Sequence, residues 1–362
     1  MFGTMMDNKP LPPSSAEPDP PQTADDKSVV WGRAPSPVQA ERSSAVASGQ
    51  TGAEAAIPAT TGAQRKSPLR DFFVGPDGIY AVPRWLIYLA IAFVIFQIEV
   101  WLLASLRPHL SDLSWRMMIE ASMMLAAILP AFMMARIEGR PFGDFGLPAR
   151  RAFGRNFWVG TLWGIVSLSV LMLALRVAGA FEFGALELHG ARIWKFAIYY
   201  AVLFLLTAFF EDFLMRGYSQ WVLSRGMNFW PAAALLSFAF GYIHGGNPGE
   251  AKTGLVAAGL IGFFLCLTLR RTGDLWWAVG FHMAWDWGES YLYSVPDSGT
   301  VLPGHLINSS LHGPDWLTGG SVGPEGSYLV FVVIGALWVL FERAYPEVKY
   351  GANDVTRTLS SS

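Results

Sequence analysis

Residues 209–218 read Phe-Phe-Glu-Asp-Phe-Leu-Met-Arg-Gly-Tyr and set Glu211, Asp212 and Arg216 inside an apolar run. No charged residue occurs from position 196 to position 210, and the run resumes with Trp221-Val222-Leu223. A charge at bilayer depth costs about 2.5–3.5 kcal/mol on insertion scales, so such residues face an internal cavity or a partner. On a helix, Asp212 and Arg216 stand at i and i+4 and can pair on one face. Glu211 is rotated about 100° from Asp212 and keeps a spare carboxylate. That carboxylate is the first candidate for chemistry.

The rest of the chain agrees with a membrane setting. It has 362 residues, 52% of them hydrophobic and 15% charged, with a mean hydropathy of +0.34. These values describe a polytopic membrane protein and not one or two soluble domains. A net charge of −2 without a broad basic block excludes nucleic acid as the main partner. The single cysteine, Cys266, lies in an apolar run and reads as a small buried residue.

Eight apolar segments, 85–106, 117–134, 157–175, 196–223, 229–244, 254–269, 275–293 and 328–341, each approach the ~20 residues that cross the hydrocarbon core. The expected fold is all-α, a polytopic bundle of about eight transmembrane helices over residues 76–345. It is preceded by a disordered Pro/Ser/Ala-rich tail over 1–75 and followed by a short tail over 346–362. With the N-terminal tail in the cytoplasm, the groups Arg136, Arg140, Arg150, Arg151, Arg155 and Arg270, Arg271 fall on the inner side, so both termini are expected there. The loop 294–327 has no Lys or Arg and many Gly, Pro, Ser and Asn, and reads as an irregular outer loop. Trp85, Trp101, Trp115, Trp158, Trp194, Trp276 and Trp277 near segment ends read as interfacial anchors.

Two further motifs lie downstream. Phe240-Gly-Tyr-Ile-His244 ends the fifth segment, and His282-Met-Ala-Trp-Asp286 occupies the seventh, with His282 and Asp286 one helical turn apart. Two histidines, a glutamate, an Asp–Arg pair and a further aspartate on three helices point to hydrolysis. Glu211 suits a general base taking a proton from water, which His244 holds or shares. His282 can donate to a developing oxyanion, with Asp286 orienting its ring. The residues equally make an N/O ligand set for Zn²⁺, namely Glu211, His244, His282 and Asp286, so the reaction uses zinc or no metal.

In this order and on separate helices, the three motifs resemble those of the CPBP family, the CAAX prenyl proteases and bacteriocin-processing, Abi-like intramembrane proteases. That family's pattern is Glu-Glu-x-x-x-Arg, then Phe-x-x-x-His, then His-x-x-x-Asn or Asp. Here it stands as Glu211-Asp212-x-x-x-Arg216, Phe240-x-x-x-His244 and His282-x-x-x-Asp286, within a motif core at 190–295. The resemblance implies an intramembrane endopeptidase, glutamate- or metal-dependent, acting on a membrane-embedded or membrane-associated peptide. Glu211 and His244 would activate water, His282 and Asp286 would stabilise the oxyanion, and Asp212, Arg216 and Phe240 would support them. The expected location is a bacterial cytoplasmic membrane.

Two departures qualify it. Asp212 replaces the second Glu and shortens the arm by one methylene, which suits a structural partner of Arg216. Asp286 stands where many members carry Asn, so it is protonated, orients His282 or binds a metal. The alternative is a non-catalytic scaffold or immunity protein that binds a peptide or lipid in the same cavity. A proton-coupled transporter would use Glu211, His244 and Asp286 as a relay, but no internal repeat accompanies it. Among other polar residues, Glu99 is expected to bond a neighbouring helix or line the cavity, and Glu289 to be solvated. His109, His189, His305 and His312 are expected at the surface.

Overall fold

The computed structural model describes residues 74–75, 78–247, 249 and 251–351. The expected N-terminal tail, apart from Val74 and Gly75, and the end of the C-terminal tail lie outside the described residues.

Every apolar segment forms a helix. In chain order these are α1 (Ala81–Ala104), α2 (Asp112–Ile137), α3 (Arg155–Val177), α4 (Ala191–Leu214), α5 (Gln220–Met227), α6 (Phe229–His244), α7 (Lys252–Thr272) and α8 (Trp276–Trp287). A short α9 (Asp315–Thr318) and the final α10 (Tyr328–Ala344) follow. Among the described residues, strand is confined to two-residue pairs: β1 (Val74–Gly75) with β2 (Gly78–Ile79), and β3 (Phe181–Glu182) with β4 (Ser310–Leu311). The protein is an all-α membrane helix bundle. By length and apolarity, α1, α2, α3, the 37-residue run α4–α5 and α7 can each cross a membrane, and α6 is a shorter apolar helix. Phe93, Trp101, Phe238 and Tyr242 remain 65–75% exposed, an apolar surface that lipid covers.

Helix packing in lipid depends on close approach, because the tails are as apolar as the side chains. Here α3 and α8 meet at glycine. A Cβ on Gly160 would lie 2.0 Å from the Trp277 carbonyl oxygen, one on Gly164 2.4 Å from that of Phe281, and one on Gly280 2.1 Å from that of Phe157. This contact fixes the helix that carries His282 and Asp286. It also corrects one expectation. Trp277 is fully buried, stacked on Phe281 at 5.3 Å between ring centroids and edge-on to Phe341 at 4.9 Å, and Trp276 is 5% exposed. Trp85 is half-buried and its indole donates to the Ser219 hydroxyl at 3.0 Å, so these three are packing residues and not interfacial anchors. Trp101, Trp158 and Trp194 are exposed, as anchors should be.

Two interruptions shape the site. Between α4 and α5 the chain widens into a π turn over Met215–Ser219, with Gly217 at φ −82°, ψ −112°. A Cβ at Gly217 would lie 2.6 Å from the Phe213 ring, so the turn needs glycine for space. Such wide turns recur at functional sites. A second one, Gly288–Tyr293, continues α8. On α6, Pro231 sits in the first turn, where its missing N–H costs nothing. Further along, Gly241 brings α6 against α7, where a Cβ would lie 2.5 Å from the Leu255 carbonyl oxygen. The outer loop is irregular apart from β4, α9 and a single 3₁₀ turn.

Candidate active site

Glu211 and Asp212 end α4, Arg216 lies in the π turn, Phe240 and His244 end α6, and His282 and Asp286 share a face of α8. Arg216 and Asp212 are buried, and Arg216 Nη1 donates to Asp212 Oδ1. The guanidinium is held from two further directions. Its Nε donates to the Gly262 carbonyl of α7 at 3.2 Å, and its carbon lies 4.8 Å from the centre of the Phe240 ring. A Cβ on Gly262 would come within 2.8 Å of Nη2, so the arginine fills the place of a side chain there.

Three carboxylates surround the His282 ring. Nε2 lies 3.6 Å from Glu211 Oε2 and 3.5 Å from Asp286 Oδ2, and Nδ1 lies 3.4 Å from Asp212 Oδ2. Asp212 thus spans Arg216 with one oxygen and His282 with the other. These separations exceed a hydrogen bond, and His282 Nδ1 and Asp212 Oδ2 are buried without a hydrogen-bond partner. Catalytic contacts before substrate binding are often this loose. His244 is fixed separately. Its Nδ1 bonds the Phe240 carbonyl at 2.8 Å, and its ring lies 4.5 Å from the Phe240 ring. A carbonyl only accepts, so Nδ1 carries a proton, and in the neutral ring Nε2 is the nitrogen left with a lone pair.

Glu211, His244, His282 and Asp286 all line one cavity of about 230 Å³. Its apolar walls include Phe204, Ile261, Leu265, Val330 and Ile334. The cavity also exposes residues that sequence reasoning missed. Arg116 and Glu120 of α2 line it as an i,i+4 pair at 3.6 Å, with Glu120 only 7% exposed. The available signal was a lone carboxylate within the second apolar segment. Asp297, Ser298 and Glu325 line it from the outer loop, which has no periodicity to reveal them. Ser290 Oγ donates to Asp297 Oδ2 at 3.2 Å, and Ser298 Oγ to Glu325 Oε2 at 2.6 Å. Burial, with the Glu325 charge beside it, pushes the Asp297 carboxyl up to about 8.

Other expectations are corrected. Glu289 is fully buried and not solvated. His305 is half-buried, with Nδ1 on the Ser290 carbonyl at 3.2 Å, whereas His109, His189 and His312 are exposed. Glu99 does not line the cavity, and its buried Oε2 has no hydrogen-bond partner.

Residues 193–288 match the model of the family described as type II CAAX prenyl endopeptidase Rce1-like. This segment is similar to that family. It runs from the first turn of α4 to the end of α8 and so contains all three motifs. The Rce1-like match agrees with the CPBP resemblance of those motifs and supports, in general, a CAAX-type intramembrane endopeptidase. No curated protein and no solved structure matches the chain.

Of the motif residues, only Asp286 belongs to a group whose ligand atoms all lie within 4.8 Å of one another. Among the described residues, the three ligand-bearing side chains whose atoms lie within 4.8 Å of one another are Asp286, Asp297 and Glu325. They share only Asp286 with the set of Glu211, His244, His282 and Asp286. The carboxylate trio offers oxygen alone, whereas zinc favours nitrogen and sulfur.

Proposed function

We propose that the chain is an intramembrane endopeptidase that hydrolyses a peptide bond of a membrane-associated substrate by water attack, without a covalent enzyme intermediate. One observation carries the reading: Glu211, His244, His282 and Asp286, from three helices, line a single cavity. The Glu211 carboxylate takes a proton from water as the oxygen attacks the scissile carbonyl carbon, and returns it to the departing amine. His244 Nε2 accepts a hydrogen bond from that water and holds it in line. His282 donates from Nε2 to the oxyanion as the tetrahedral centre forms. Asp286 and Asp212 position the imidazole, and Arg216 holds Asp212. The apolar cavity walls suit a hydrocarbon chain, so a lipidated C-terminal peptide, the substrate class in the family's description, is the preferred form. The N- and C-termini lie on the cytoplasmic side under this reading.

Single-turnover cleavage of a farnesylated peptide by the purified protein in H₂¹⁸O tests it. The expected product carries one ¹⁸O in the newly formed carboxylate. Binding of the peptide without hydrolysis, lipidated or not, contradicts the reading and returns the cavity to the scaffold alternative.

A further inference from the structure

The mechanism uses Asp286 but leaves three carboxylates beside it unexplained. Asp297 and Glu325, from the two ends of the outer loop, bring an oxygen each to within 4.8 Å of one another and of an Asp286 oxygen. Two oxygens bound to one calcium ion at about 2.3–2.6 Å can be up to about 4.6–5.2 Å apart, so one ion can span this spacing. Crowded acids alone do not make a site, but a fourth residue points to a ligand. Glu289 lies three residues beyond Asp286, on the same side of α8 and its wide turn. It is fully buried, and neither of its carboxylate oxygens has a hydrogen-bond partner. Its electrostatic neighbours are Glu325, Asp297 and Asp286, all of them acids. The Trp285 indole Nε1 is the donor beside it, at a geometry short of a full hydrogen bond.

Positive charge from the protein is scarce here. His282 reaches Asp286 at 3.5 Å, and its other contacts are Glu211 and Asp212. Arg116 lines the cavity but pairs with Glu120 at 3.6 Å. A buried, unpaired carboxylate is among the costliest groups a fold can hold. Hydroxyls already orient two of the acids, Ser290 on Asp297 and Ser298 on Glu325, which is how outer partners aim metal ligands.

We propose that Asp286, Asp297 and Glu325, with Glu289 behind them, bind one hard divalent cation of calcium size at the outer-loop side of the cavity. The donor set is all oxygen, and it comes from an irregular loop and a helix end, which suits the variable coordination of calcium better than the strict octahedron of magnesium. The ion would tie both ends of the outer loop to α8. It would also hold the Asp286 charge away from any oxyanion that His282 meets. The site is independent of the hydrolase reading, because cation binding is measured without substrate.

The test is ⁴⁵Ca²⁺ binding by the full-length, detergent-purified protein after chelator treatment, with thermal unfolding alongside. Saturable binding of one ion per chain is expected. Calcium at about 1 mM, within the range of extracellular modules, should raise Tm by several degrees, and magnesium by less. Asp297→Asn with Glu325→Gln should abolish both effects. It removes like-charge crowding, so its Tm in chelator should equal or exceed that of the unaltered protein, which separates lost binding from lost folding. Glu289→Gln alone should weaken binding by about tenfold. Absence of saturable binding up to about 5 mM, beyond the weak end of known calcium modules, would overturn the site. Binding undiminished by the double substitution would overturn it equally.

Discussion

Glu211→Gln is expected to lower kcat for peptide cleavage by about 10²- to 10⁴-fold, the range a positioned general base contributes, while the protein still folds and inserts. Glutamine keeps the shape of the side chain and removes only the group that accepts the proton of water. The fold should tolerate this. The Glu211 side chain is 22% exposed to the cavity, and His282 retains Asp212 at 3.4 Å and Asp286 at 3.5 Å as acidic neighbours. Turnover of the farnesylated peptide, measured beside Tm and gel-filtration profile, checks both halves. Undiminished turnover would remove Glu211 from the mechanism and with it the hydrolase reading of the cavity.

Asp212→Ala is expected to be the most destabilising single change in the site. It strands Arg216, which is 1% exposed and whose remaining contacts are a neutral carbonyl at 3.2 Å and an aromatic face at 4.8 Å. Removing one partner of a buried ion pair typically costs about 3–5 kcal/mol, because the other charge stays behind without compensation. Replacing both with apolar residues of similar volume, Asp212→Leu with Arg216→Met, should recover most of that loss, since the pair as a whole brings little net stability. Thermal unfolding in detergent of the single and double variants decides this. If Asp212 also positions His282, the stabilised double variant should keep its KM and lose kcat. Recovery of both stability and kcat would limit Asp212 to packing.

The fold was legible in sequence because runs of about 20 apolar residues mean the same thing wherever they occur in a membrane protein. The pairing of Asp212 with Arg216 and of His282 with Asp286 was also legible, since both are separations of one turn within one helix. Relations between helices were not. Lipid is as apolar as a helix interface, so hydropathy could not say that Trp276 and Trp277 turn inward or that Glu289 is sealed from solvent. The π turn at Met215–Ser219 left only Gly217 as a sign, and glycine has many other uses. Asp297 and Glu325 come from a loop without periodicity and meet Asp286 only through the fold. The loop 294–327 has no Lys or Arg to pair with them.

The most direct measurement of the central claim, that peptide hydrolysis occurs where the acid and the two imidazoles meet, is an experimental structure of the Glu211→Gln protein with an uncleaved peptide bound. The expected result is a scissile carbonyl in the cavity walled by Phe204, Ile261 and Ile334, its carbon within about 3–3.5 Å of a water held by residue 211 and His244, and its oxygen toward His282 Nε2. A peptide seated outside that cavity, or His244 and His282 turned to different sides of the bundle, would contradict it.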